Sequence, residues 1–277
     1  MNAIVTGIDH VIVAVRDLDR AVATYRRLGF TPTDRGHHPQ LGTCNTLFMF
    51  GTDYFELVGV ERPGPDNQRW QDVLADREGL AGIALATNDA EGAMAALRAQ
   101  GLNPPPVSYF ARPVVVNERE AEARFAAAYV PPAITPAAPM FFCQHFTRDL
   151  VWRTEWQRHP NGVTAVVEVM ALAADPAATA RAYAPLVGAD QIERAAVRIG
   201  RHTLRLATAD AITAWGGGVA PAPAHAMPRL AGVALRVASL AATALHLQAS
   251  AIPYALTGDA LVVGPDSACG AIIKFVA

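Results

Sequence analysis

Several things are scarce in this chain, and each scarcity excludes a class of protein. Cysteine is limited to Cys44, Cys143 and Cys269 among 277 residues. They lie far apart, so no CxxC zinc or redox pair exists, and an odd, sparse set is no disulfide framework. Core packing is the expected role of each. Charge is also thin: 17% of residues are charged and 52% hydrophobic, the reverse of the balance that keeps a chain disordered. Lysine is nearly missing; Lys274 stands alone, and the rest of the 23 basic residues are arginine. With a net charge of −2 and no basic cluster, the chain has no electrostatic footprint for nucleic acid. No apolar run reaches the roughly 18 residues that a membrane span needs. Residues 1–15 lack the basic start, apolar centre and cleavage site of a signal peptide. A cytoplasmic globular protein, with neither nucleic-acid nor membrane partners, is the expectation. Phosphate-cradling and nucleophile-elbow motifs are missing too. The Gly216-Gly217-Gly218 run has no strand–turn–helix around it.

What is present is a repeat. Residues 7–15 are rich in β-branched residues and read as a buried strand. Asp17 stands at an N-cap position, and Leu18, Ala21, Val22, Tyr25 and Leu28 recur at helical spacing up to Gly29. An extended stretch follows at 30–34, a loop at 35–42 with His37 and His38, then strands at 43–50 and 54–60. The order is β-α-β-β-β. It returns from residue 79, interrupted by a Pro-rich stretch at 104–139 in which the places of Tyr109 and Arg112 are not readable. It returns again from 162, with a helix over 176–186, and from 228. The Gly-, Pro- and Ala-rich run 216–228 reads as a linker. Residues 147–161 carry Trp152, Trp156, Arg153 and His159, too much large polar and aromatic surface for an idle connection.

The repeated unit resembles the vicinal oxygen chelate superfamily, which includes glyoxalase I, bleomycin-binding proteins and extradiol dioxygenases. The matching residues are Gly7-Ile8-Asp9-His10, the Asp17-Leu18 helix start, Leu28-Gly29-Phe30 and Tyr54-Phe55-Glu56-Leu57-Val58. Cys143-Gln144-His145 and the run from Trp156 to Gly162 are similar to a glyoxalase-like branch. The resemblance implies an α+β fold in which four βαβββ modules form two curled, mixed-sheet bowls. One domain would span 1–150 (modules 5–60 and 78–147). A degenerate second domain, a scaffold or lid, would span 151–277 (modules 162–208 and 228–277).

The resemblance also implies a divalent metal, Zn, Mn, Fe, Ni or Co, on His10 of the first strand and Glu56 of the fourth. Imidazole plus carboxylate suits any of these ions. Two ligands are too few, and Gly82 falls where the second module would supply one. His145 is the expected third ligand, with Gln144 as the alternative, because adjacent strand residues face opposite ways. Glu56 is also the candidate catalytic carboxylate. His37, His38, Tyr54, Trp152 and Arg153 are candidate substrate contacts. In the third module, Ala165 or Val166 takes the place of His10; with Lys274 near a Glu position of the fourth, a second metal is not expected. The implied activity is that of a metal-dependent lyase or isomerase on a small carbonyl or hydroxy compound. The alternatives are a metal-free sequestering protein of the bleomycin-resistance kind and an extradiol-type dioxygenase. Four modules permit a monomer with an internal pseudo-dimer; a homodimer is the other possibility.

Overall fold

The computed structural model describes residues 5–116 and 119–277. Its first half runs β1 (Ile8–Ala14), α1 (Leu18–Arg27), β2 (Gly36–His38), β3 (Thr43–Met49), β4 (Tyr54–Val60), α2 (Gln68–Asp76), β5 (Gly79–Ala86), α3 (Ala90–Ala99), β6 (Ser108–Val116), β7 (Arg119–Tyr129) and β8 (Met140–His145). The eight strands form one curled sheet in the order β2-β3-β4-β1-β5-β8-β7-β6. β1 is parallel to β4 and β5 to β8, while β1 and β5 meet antiparallel at the centre. Two βαβββ units thus stand back to back.

The second half repeats the plan. It runs β9 (Val163–Leu172), α4 (Pro176–Arg181), α5 (Ala184–Val187), β10 (Ile192–Glu193), β11 (Ala196–Ile199), β12 (His202–Ala207), α6 (Ala209–Trp215), β13 (Arg229–Val237), α7 (Leu240–Ala249), β14 (Ala255–Leu256), β15 (Ala260–Val263) and β16 (Ile272–Val276). Its sheet order, β10-β11-β12-β9-β13-β16-β15-β14, matches the first strand for strand. This is the expected α+β pair of mixed-sheet bowls.

Alternation along the strands separates core from site. Val11 and Val13 face a core shared with Val169, Val233 and Phe275 of the second sheet. Ile12 and Ala14 face the concave side with Leu47, Trp70 and Phe141. Helix α1 begins where the Asp17 side chain accepts the Arg20 N–H, and ends before Gly29, whose φ of +88° favours glycine. It buries Leu18, Ala21 and Tyr25, and Tyr25 packs among Phe30, Phe48 and Phe55.

Several local expectations are corrected. Residues 35–42 contain strand β2 and are not all loop, because Gly36, His37 and His38 pair with Asn45, Cys44 and Thr43. The Pro-rich stretch holds β6 and β7, an antiparallel pair. The helix expected over 176–186 is two helices, because Pro185 opens α5 and has no N–H to continue the turn before it. Helices α2 and α6 were not expected at all. Segment 147–161 ties the halves together: His159 accepts the Thr31 N–H at 3.0 Å and meets the Met49 carbonyl at 2.8 Å, and Asn161 donates to the Leu28 carbonyl.

Candidate functional site

The site lies in the first bowl and begins with an irregularity in β1. Ile8 pairs with Leu85 and His10 with Ala84, so Asp9 is an extra residue in a β-bulge. A bulge re-aims side chains, and here both Asp9 and His10 turn toward the same network. Asp9 Oδ1 lies 2.8 Å from His10 Nδ1, and His10 Nε2 lies 3.1 Å from Glu56 Oε2. Asn45 donates to the other Glu56 oxygen at 2.6 Å. His145 Nε2 reaches Asp9 Oδ1 at 3.1 Å from the far side. The result is a buried hydrogen-bonded line, Glu56–His10–Asp9–His145. Burial opposes the charged form of each group, but the hydrogen bonds win. They push His10 up to about 9, against Asp9 and Glu56, and hold both carboxylates below their usual range. Tyr54 stacks on the His10 ring with centroids 4.3 Å apart, and Phe141 meets that ring edge-on.

The structure brings His10, Glu56 and Tyr54 together at the base of a cavity. Leu41, Leu47, Phe110 and Phe125 form its apolar walls, and His38 and Arg112 also line it. His145 is near but stands across Asp9 from His10. Gln144 turns the other way: it accepts the Ala90 N–H and donates to the Asn88 carbonyl, bracing the start of α3. Strand pairing does not make Gln144 the counterpart of Glu56 either. Ile12 pairs with both Glu56 and Gly82, and Ala84 with Phe141. Phe141 therefore stands where the two-fold of the bowl would repeat Glu56. Of the loop histidines, only His38 faces the cavity; His37 is exposed and paired with Glu61. Trp152 packs edge-on against Tyr54 and His145, outside the cavity lining, and Arg153 pairs with Glu155 beside Trp156. Sequence reading missed Asp9, Asn45 and Arg112; only the bulge and the curl of the sheet bring them in.

Gly82 has a physical reason to lack a side chain. A Cβ there would come within 3.0 Å of the Trp70 indole of α2. The second bowl repeats the device, with Gly232 under Trp215 of α6 at 2.9 Å. Met170 pairs with Gly232 as Ile12 pairs with Gly82, so Glu168, not Ala165 or Val166, occupies the place of His10. Arg205 occupies the place of Glu56, and the two form an ion pair at 2.8 Å.

Two donors of the first bowl are placed to share a divalent ion, and His145, the expected third, is turned to Asp9 instead. A separation of 3.1 Å between His10 Nε2 and Glu56 Oε2 suits two ligands with bonds of about 2.1 Å. Asp9 on Nδ1 is the outer carboxylate that fixes such a histidine. Among the described residues, donor atoms of Asp9, His10 and Cys143 also lie within 4.8 Å of one another. Burial first, then Asp9 and Glu56, pushes the Cys143 thiol well up, which disfavours the thiolate a metal needs.

Two βαβββ modules closed around a first-strand histidine and a fourth-strand glutamate define a protein of the vicinal oxygen chelate superfamily. Within it, the chain belongs to the glyoxalase-like domain family, whose model matches residues 8–187. No curated protein matches it. Among solved structures, it is similar to a hypothetical protein from Staphylococcus aureus at a TM-score of 0.67 and 15% identity, covering 97% of this chain and 98% of that one. It is also similar to a mutant 4-hydroxymandelate synthase from Streptomyces coelicolor at a TM-score of 0.58 and 14% identity, covering 98% and 92%. At such identities the likeness shows the fold, here over both bowls.

Proposed function

We propose that the first bowl is the active site of a metal-dependent lyase or isomerase acting on a small carbonyl or hydroxy compound. The observation that carries this reading is the buried His10 Nε2–Glu56 Oε2 pair, 3.1 Å apart and braced by Asp9, at the base of an apolar cavity. His10 and Glu56 would hold the ion, one of Zn, Mn, Fe, Ni or Co. When bound, such an ion polarises a substrate oxygen and steadies the charge that develops on it. The chain's own groups do the rest. Asp9 orients the imidazole through Nδ1 and so presents Nε2 to the cavity. Asn45 anchors one Glu56 oxygen and so turns Oε2 toward His10 Nε2, and Glu56 would take or return a proton only when Oε2 is not held by the ion. Tyr54 fixes the plane of the His10 ring, and the apolar walls exclude water.

A metal-free binding site is the second reading, favoured by Gly82 and Phe141 standing where the second module would supply ligands. A ring-cleaving dioxygenase needs two imidazoles on one ion, and His145 stands across Asp9 from His10, so that reading has less support. The test is elemental analysis of protein purified without chelators, for the native chain, His10→Ala and Glu56→Ala. About one metal per chain, lost in both variants, is expected. No metal in the native protein, even after incubation with each of the five ions, overturns the reading in favour of the second.

A further inference from the structure

Arg112 stands on β6, which closes over β2 at the mouth of the first bowl. Phe110 of β6 meets His38 of β2 edge-on, with ring centroids 6.0 Å apart. A Cβ on Gly36 would come within 3.2 Å of Arg112 Nη1, so the bare backbone of Gly36 admits the guanidinium. Inside, Arg112 lines the cavity with His10, Asn45 and Glu56, and its guanidinium lies 6.0 Å from the Phe125 ring centroid. Among the described residues, it has no carboxylate within ion-pair distance. Glu56 acts on it electrostatically, but both Glu56 oxygens are engaged, by His10 and Asn45.

Beside it is a buried acceptor without a hydrogen-bond partner. Asn45 is 4% exposed, and its Oδ1 accepts no hydrogen bond. Its orientation is fixed, because Nδ2 donates to a carboxylate that can only accept. The same Cβ on Gly36 would clash with Asn45 Oδ1, so the unmade acceptor and the guanidinium converge on one spot. A buried acceptor left unmade and a cation in an apolar cavity are both unfavourable until a ligand meets them.

We propose that the first bowl takes an amphipathic α-hydroxycarboxylate. Its carboxylate pairs with the planar fork of Arg112, its hydroxyl donates to Asn45 Oδ1, and its apolar body lies against Phe110, Phe125, Ile12 and Leu47. Because Asn45 also holds Glu56, the hydroxyl-bearing carbon comes to the Glu56 side of the cavity. This names the substrate class and rests on the reading of the first bowl as the ligand site.

The test is calorimetric titration of the full chain with phenyllactate, phenylpropanoate and phenylpropanamide, for the native protein, Arg112→Met and Arg112→Lys. Metal content and circular dichroism are measured on the same samples. The native protein is expected to bind phenyllactate most tightly and to prefer the acid to its amide by about tenfold or more. Arg112→Met binds acid and amide alike, while Arg112→Lys keeps part of the preference. The inference is overturned if the amide binds the native protein as well as the acids do, if folded Arg112→Met keeps the preference, or if no probe binds. A metal-free protein with an Arg112-dependent preference overturns the metal reading alone. A protein with metal on His10 and Glu56 but no preference overturns this inference alone.

Discussion

His38 shows how a single residue in this bowl is tuned by its surroundings. Its Nδ1 meets Thr43 Oγ1 at 3.1 Å, and the rest of the ring faces Phe110 and the cavity. Burial pushes it down from 6.5 to about 4; Glu56 opposes that and Arg112 and His37 add to it. In the unfolded chain the imidazole takes its proton near 6.5, so between these values the unfolded state holds more protons. The stability contributed by neutral His38 is therefore fully present above about 6.5 and lost as pH falls through about 4. The loss amounts to about 3 kcal/mol. Unfolding in urea at several pH values, for native protein and His38→Gln, isolates it from the carboxylates that titrate in the same range. The native protein should lose about that much relative to the variant between pH 7 and pH 4. A gap that does not change with pH would show that His38 is not held neutral.

At the scale of elements, β8 turns its two neighbouring polar residues to different partners, His145 to Asp9 and Gln144 to α3. Gln144 is engaged with α3 through both its amide atoms, at 3.0 Å to the Ala90 N–H and 2.7 Å to the Asn88 carbonyl. The Ala90 N–H is one of the donors that a helix start leaves without an internal partner. Gln144→Ala should lower stability by about 1–2 kcal/mol in chemical unfolding while leaving metal content unchanged. Metal lost to the same degree as in His10→Ala would make Gln144 part of the metal site instead. The same strand shows what was legible. Strands such as 43–50 and 54–60, the helix from Leu18 to Leu28 and the fourfold repeat announce themselves through period and caps, which are local. The bulge at Asp9 does not, because it exists only against Leu85 and Ala84 of the partner strand. Nor does the fate of Gly82, which depends on Trp70 arriving from a helix that carries no strong cap of its own. Arg112 was unreadable because the prolines around it mask a strand pair that only the closure of the sheet makes useful.

Polar ties add to the shared apolar core in joining the two halves of the molecule, and Asp53 is a fully buried one. In sequence it is the last residue of a Gly-Thr-Asp turn, a position that usually faces water. In the structure it is fully buried: Oδ1 accepts the Val166 N–H at 2.8 Å, and Oδ2 lies 2.7 Å from Arg201 Nη2 and 3.4 Å from His202 Nε2. His202 in turn accepts the Ile8 N–H through Nδ1, so one turn of the first sheet reaches β9 and β12 and, through them, β1. Arg201 is half exposed and contributes little through the ion pair itself. The larger effect lies with the partners that cannot turn to water. Asp53→Ala strands the Val166 N–H and the His202 ring in the shared core, and should lower the free energy of unfolding by about 3–5 kcal/mol. Asp53→Asn keeps an acceptor for Val166 and should lose less. Because Asp53 lies outside the cavity lining, the variant that remains folded should still carry the metal content of the native chain. A change below about 1 kcal/mol in Asp53→Ala would mean that water reaches these groups, and that the shared apolar core alone joins the two bowls.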